Sequence, residues 1–292
     1  MRIAVIGATG RTGRRVVSAL CGRGHAVTAL GLTAAKLTAL DARAQRHAVD
    51  LTTGGAELAT RLADADVVAS CAHAKFTGAI LQAAPRSARL VLMGSVRRYL
   101  AIPDRDGTEI AAGEAQLLAS GRAGVMLHAS MIFGARDDGN VSRVIGALRR
   151  WPAGVPIVLP LPDGGRRLVQ PILIDDVVAS VVAAIERPAS DGPPIVLAGA
   201  APLPYRDMIR HCASALGRRV IVLPVPVALL SAIAGLAAGV GVRLPLNAAE
   251  LRRAGEDKRF DTAPMIARLG VRPLDFPAAL RAAEILQPAA QQ

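Results

Sequence analysis

Aromatic residues are almost missing from this chain, which has one Trp, two Tyr and four Phe among 292 residues. A surface that holds nucleic acid by stacking bases has little to work with here, and no nucleic-acid module is visible, so no nucleic-acid partner is expected. The core must be built from Val, Leu, Ile and Ala. Cysteine is scarce too. Cys21, Cys71 and Cys212 are odd in number and far apart, and neither they nor the five scattered His have metal-ligand spacing. No metal is expected, and the compartment is expected to be reducing and cytoplasmic. The first ten residues, MRIAVIGATG, lack the apolar run and cleavage site of a signal peptide.

Charge of one sign is also short. Against 35 Lys and Arg stand 23 Asp and Glu, a net charge of +12, and only three of the basic residues are Lys. The Arg residues are spread along the whole chain, which reads as a solvated surface. The alternatives are contacts to anionic small molecules or to an acidic membrane face. One stretch has no charge at all. Residues 220–242 are long enough to span a bilayer, but Pro224, Pro226, Gly235, Gly239 and Gly241 break the run. A buried or half-buried helix is expected, with Leu229, Leu230, Ile233, Leu236 and Val240 on the core or lining an apolar pocket. The flanking Arg218, Arg219, Arg243, Arg252 and Arg253 leave a second reading open. In it this stretch docks peripherally on the inner face of a membrane or on a partner subunit.

What is present is an alternation. Apolar runs at 2–6, 26–30, 46–49, 66–70, 89–93 and 125–129 predict strands, and helical patterns at 11–23, 34–42, 56–63, 78–84 and 109–120 lie between them. Continuous apolar strands separated by helices imply an α/β fold, a doubly wound parallel Rossmann sheet covered on both faces. After about residue 135 the pattern loosens. Pro152, Pro156, Pro160, Pro162 and Pro171 predict a loop-rich region, followed by a helix at 175–186, a strand at 195–197, a helix at 205–216 and, within 218–292, a last strand, the apolar helix and two terminal helices. Residues 1–135 are therefore expected to form the nucleotide-binding core. Residues 136–292 are expected to complete the sheet and form a smaller substrate or lid region.

The sharpest motif is Gly7-Ala8-Thr9-Gly10-Arg11-Thr12-Gly13, directly after the first strand and opening the first helix. Gly7 permits the tight turn, Gly10 lets the backbone approach a pyrophosphate, and Gly13 permits close helix–sheet packing. The exposed helix N-terminus supplies amide donors and partial positive charge. A dinucleotide, NAD(P)(H), is the implied ligand, with Thr9, Arg11, Thr12 and Arg14 beside it.

GATGRTG resembles the loop of the short-chain dehydrogenase/reductase superfamily in its extended and atypical branches. Further segments are similar in the same order: Val49-Asp50-Leu51-Thr52, Ala65-Asp66-Val67-Val68, Ser70-Cys71-Ala72, Leu92-Met93-Gly94-Ser95, Met131-Ile132-Phe133-Gly134 and Gln170 through Val177. The chain looks most like NmrA-like proteins, atypical reductases and the nucleotide-binding accessory subunit of mitochondrial complex I. The resemblance implies Asp50 and Leu51 near the adenine, Cys71 and Ala72 over the cofactor, and Ser95 at its reactive end. NAD-preferring sites place an acid at the end of the second strand, whereas Leu30-Gly31-Leu32-Thr33 has none. This favours NADP(H) over NAD(H), with Arg11, Arg14 and Lys36 as candidates for the 2′-phosphate. Related members often carry Arg where Leu32 stands.

Redox members of the superfamily use a Tyr acid/base, tuned from its usual pKa of ~10 by a Lys four residues on. Tyr99 is followed by no such Lys, Tyr205 lies far along the chain, and the helix expected to carry the pair has neither residue. Ser95, Tyr99 and His128 are the remaining catalytic candidates, with Arg97 and Arg98 as substitutes for the lysine charge. Each also has a purely structural reading. Two functions follow. One is an oxidoreductase or epimerase acting on a carbonyl or sugar-like small molecule. The other is a non-catalytic NAD(P)-binding protein that serves in structure, sensing or assembly.

Overall fold

The computed structural model describes residues 1–101, 104–152, 154–226, 228, 229 and 256–286. The N-terminal half runs β1 (Arg2–Ile6), α1 (Arg11–Gly22), β2 (Ala26–Gly31), α2 (Ala34–Leu37), β3 (Gln45–Ala48), α3 (Gly55–Leu62), β4 (Val67–Ser70), α4 (Thr77–Ala83), β5 (Arg89–Ser95), α5 (Arg105–Ala119) and β6 (Gly124–Ala129). Then come β7 (Ile132–Phe133), α6 (Val141–Arg150), β8 (Ile157–Pro162), β9 (Leu168–Val169), β10 (Ile172–Leu173), α7 (Ile174–Glu186), β11 (Ile195–Leu197), β12 (Leu203–Pro204), α8 (Tyr205–Ala215), β13 (Val220–Val225) and α9 (Phe276–Ala282).

Seven of these strands form one parallel sheet in the order β11–β6–β5–β4–β1–β2–β3. The order reverses between β1 and β4, and in such sheets the crevice at the carboxyl ends of the switch-point strands is where ligands bind. Both faces are apolar and both are covered. On one face Val16, Val17 and Leu20 of α1 pack with Val177, Val181 and Ile185 of α7 over Val5, Val91 and Leu127. On the other, Leu58, Leu62, Ile80, Ile110 and Leu117 cover Ile6, Leu30, Leu90 and Leu92. Each such aliphatic side chain gains about 1.5–3 kcal/mol on burial, which is how a chain with few aromatics holds together. The region after β6 has a core of its own. Phe133, Val141, Ile145, Met208, Ile209, Phe276 and Leu280 pack there, and the Phe133 and Phe276 rings lie 5.1 Å apart.

Four differences from the sequence reading have physical causes. Helix α5 starts at Arg105, earlier than expected, because the Asp104 side chain accepts the Gly107 N–H at 2.7 Å and caps it. Helix α2 is a single turn. Helix α6 and strand β8 occupy the stretch expected to be loop. Pro160 and Pro162 are tolerated because β8 pairs only with β13, and a two-stranded ribbon leaves one side of each ladder free. That partner, residues 220–225, is the last strand expected after residue 218, and it takes up the first six residues of the stretch expected as a buried helix. The expected helical positions Leu230, Ile233, Leu236 and Val240 lie outside the described residues. Among the described residues no helix is long and apolar enough to cross a membrane.

The arginines are also more structural than a solvated surface implies. Arg122 donates to the carbonyls of Leu81, Ala84, Pro85 and Ala88, which closes the end of α4. Arg218 binds the carbonyls of Leu148 and Trp151, Arg268 those of Ser190 and Pro193, and Arg89 those of Ala184 and Ile185 together with the Asp191 carboxylate. A planar fork of donors suits the orphan carbonyls of helix and loop ends.

Candidate functional site

The glycine loop crosses the carboxyl end of β1. Gly7 has φ +72°, and a Cβ there would lie 2.7 Å from the Ala72 nitrogen. Gly13 is more tightly constrained, because a Cβ would meet the Gly7 carbonyl oxygen at 2.2 Å. These two glycines are required by the protein's own packing. Gly10 differs. The nearest atom to a Cβ there is the Gly7 carbonyl oxygen at 3.3 Å, and its φ is an ordinary −71°. The protein itself asks little of position 10, so the backbone left bare there suits a ligand that must come close. Helix α1 begins at this point with Gly10 as its cap. It has no side-chain cap bond and no acid in its first turn, which leaves its first amides without a side-chain acceptor.

A cleft of about 350 Å³ opens beside the loop, lined by Gly10–Gly13, Cys71, Ser130 and Asn140 among others. Its far wall is organised by Asp138, which is buried and accepts the N–H groups of Gly134, Asn140 and Ser142 at 2.9–3.1 Å. Sequence reading missed Asp138. Its signal was the acid two residues ahead of Asn140 at the start of an unrecognised helix. Cys71 lies on the cleft wall, and burial pushes its thiol up to about 12, so it stays neutral. Bare backbone at Gly10, uncapped amides and a cleft at the switch point together fit the pyrophosphate of NAD(P).

At the opposite side of the loop, β2 ends in Gly31 and Leu32. A Cβ on Gly31 would lie 2.9 Å from the Thr9 methyl, so Thr9 packs against the strand end, and Leu32 is 69% exposed. Lys36 stands in the short α2 after it. Asp50 follows β3. Its carboxylate accepts the Thr52 N–H at 2.8 Å and the Thr52 hydroxyl at 2.6 Å, which hold it below the usual carboxylate range, while Leu51 packs on the α3-side core. Arg11 and Arg14 do not turn this way. Arg11 donates to the Asp137 carbonyl at 2.7 Å and Arg14 reaches the Asp137 carboxylate at 3.5 Å, on the side of the cleft wall. Of the three basic residues expected at a 2′-phosphate, only Lys36 stands by β2.

The catalytic candidates are brought close together but are occupied. Ser95 ends β5, and its hydroxyl oxygen accepts the Arg97 N–H at 3.3 Å, capping the turn Val96–Tyr99. His128 is fully buried. Its side chain crosses Gly94, where a Cβ would lie 2.5 Å from Nδ1, so the strand pair β5–β6 admits it only over a glycine. His128 Nε2 lies 2.7 Å from a Glu114 Oε of α5, and the Tyr99 ring sits edge-on to the imidazole at 5.5 Å. Burial holds the imidazole pKa below its ordinary value despite the Glu114 hydrogen bond. Tyr99 is 46% exposed, and burial of its ring together with the nearby Glu114 charge raises its pKa. Arg98 donates to Glu114 at 3.1 Å, and Arg97 is bound by Asp104 and Asp106, so neither stands free to replace the lysine. Glu114 was missed in the sequence. It sits on the inward stripe with Ile110 and Leu117, and an acid at such a position calls for a buried partner.

One further cluster was not foreseen. His73, Asp106 and Glu109 bring ligand atoms within 4.8 Å of one another. Asp106 is already bound by Arg97 and Glu109 by Arg105, so the acidic charge there is compensated.

Residues 7–109 match the model of the NAD(P)H-binding family. No curated protein matches the sequence. Solved structures match nearly the whole chain at low identity. A short-chain dehydrogenase/reductase superfamily protein from Agrobacterium tumefaciens with bound NAD has a TM-score of 0.73 at 17% identity, covering 98% of this chain and 97% of that one. The UDP-glucose 4-epimerase of Thermotoga maritima with UDP-glucose scores 0.71 at 14% identity, covering 96% and 98%. The UDP-glucuronic acid 4-epimerase of Bacillus cereus in complex with NAD scores 0.70 at 18% identity, covering 98% and 97%.

Proposed function

We propose, for a chain with an NAD(P)H-binding module at residues 7–109 and the fold of the extended short-chain dehydrogenase/reductases, that it holds NAD(P)(H) without a Tyr–Lys acid–base relay and serves as a structural or sensing protein. The observation that carries this is the state of the groups where a relay would stand. Tyr99 has a raised pKa and no Lys four residues on, Arg98 is bound to Glu114, and His128 is buried against the Tyr99 ring and Glu114. A phenol tuned upwards is a poor base near neutrality. Bound nicotinamide would supply hydride chemistry, and the loop amides of α1 with Gly10 would hold the pyrophosphate. NADP(H) is favoured over NAD(H) by the acid-free end of β2 and by Lys36.

A second reading keeps the enzyme: an oxidoreductase or epimerase on a carbonyl or sugar-like small molecule. The roomy polar cleft with Ser130 and Asn140 favours it, as does the whole-chain likeness to proteins named as UDP-sugar epimerases. Mass spectrometry of the ligand released from purified protein, paired with turnover assays on a carbonyl panel, separates the two. Released NADP(H) without turnover supports the first reading. Rapid turnover supports the second.

A further inference from the structure

Ten large apolar side chains are exposed among the described residues, and five of them, Val155, Val158, Ile221, Leu223 and Leu229, lie on or beside the ribbon β8–β13. Ile221 and Leu223 are 52% and 47% exposed, and Ile221 stands opposite Val158 in the register. The alternate residues Ile157, Leu159, Leu161 and Val220 pack inward on the third core. A ribbon with one face on a core normally turns polar residues to water. Here both faces are apolar.

The ends of the ribbon are basic. Arg218 is anchored on the carbonyls of Leu148 and Trp151, which brings Arg219 and the end of α6, with Arg149 and Arg150, to the start of the ribbon. At the other end the turn Asp163–Gly165 packs on Pro224, and Arg166 and Arg167 follow it. The acids nearby are already paired, Asp163 with Arg167 and Asp207 with Arg206 and Arg210.

We infer that the outer face of the β8–β13 ribbon docks on the surface of an anionic lipid bilayer. Ile221, Leu223 and Val158 enter the headgroup boundary, and Arg150 and Arg219 at one end with Arg166 at the other, which are exposed and make no ion pair among the described residues, meet lipid phosphates. A second copy of this chain is a poorer occupant, because a two-fold contact across the ribbon would set arginines near arginines. The inference does not depend on the cofactor reading, since the ribbon belongs to the third core and not to the nucleotide cleft.

The test is co-sedimentation of the full chain with phosphatidylcholine vesicles, with and without phosphatidylglycerol, at low and physiological salt. The protein is expected to sediment with the anionic vesicles at low salt, less at high salt, and not with the neutral ones. Arg219→Glu with Arg150→Glu is expected to weaken binding at least roughly five-fold for each charge removed. Ile221→Asp with Leu223→Asp is expected to weaken it by roughly ten-fold or more. Unchanged circular dichroism and an unchanged urea-unfolding midpoint certify that both variants are folded. Three results overturn the inference: wild-type protein that ignores anionic vesicles at low salt, a folded Ile221→Asp/Leu223→Asp variant that binds as tightly as wild type, and a wild-type dimer that this variant turns into a monomer.

Discussion

Glu114 and His128, fourteen residues apart in sequence and on different elements, meet at 2.7 Å between α5 and β6. Burial lowers the imidazole pKa, so the folded state resists protonation more than the unfolded chain does. Where the unfolded chain binds more protons, stability rises with pH. The contribution of His128 is therefore complete above the unfolded pKa of about 6.5 and is lost as pH falls from there towards the lower folded pKa. Thermal unfolding from about pH 7.5 to pH 5.5 should show a falling Tm. His128→Gln should flatten that fall, since glutamine keeps a donor for Glu114 and does not titrate. A slope identical in the two proteins would contradict the assignment.

Tyr99 is predicted to be dispensable. Its phenol is tuned upwards and its ring braces His128. Any turnover with carbonyl substrates should be slow and should change less than about two-fold in Tyr99→Phe, the result expected when no reacting proton passes through this hydroxyl. A loss of a hundred-fold or more, on the order of one general-acid contribution, would make Tyr99 the acid/base.

The proposed preference for NADP(H) rests on two positions after β2. Leu32 is exposed just past the end of β2, where NAD-preferring sites place an acid, and Lys36 stands in α2 after it. Lys36→Glu is expected to weaken NADPH about ten-fold and leave NADH nearly unchanged. Leu32→Asp is expected to invert the preference towards NADH. Isothermal titration with both cofactors reads both effects, and NADH bound more tightly than NADPH by the wild type refutes the preference.

Arg122 ties four carbonyls between α4 and β5. Arg122→Ala is expected to cost about 2 kcal/mol in urea unfolding, because the partly buried carbonyls lose charged donors. A change under about 0.5 kcal/mol would mean that water replaces the guanidinium without loss.

The strands and the glycine loop were legible in the sequence because their signals are local. An apolar run bounded by turns is a buried strand wherever it pairs, and glycines at 7 and 13 meet a requirement of the protein's own backbone packing that few other residues meet. Long-range matters were not legible. The Glu114–His128 contact needs the register that sets His128 opposite Gly94. The direction of Arg11 and Arg14 depends on Asp137, more than a hundred residues away. The arginine staples bind carbonyls, which carry no residue code. Strand β8 was hidden by prolines whose tolerance depends on a ribbon pairing with β13.

In the proposed function the dinucleotide lies against the bare backbone at Gly10, and titration of wild type and Gly10→Val with NADPH and NADH tests this most directly. A Cβ at position 10 meets only the Gly7 carbonyl oxygen at 3.3 Å, so the variant should fold with little loss of stability. Its branched side chain should nonetheless stand in the pyrophosphate path and weaken both cofactors by at least about a hundred-fold. Cofactor affinity unchanged in a folded Gly10→Val protein would contradict the account.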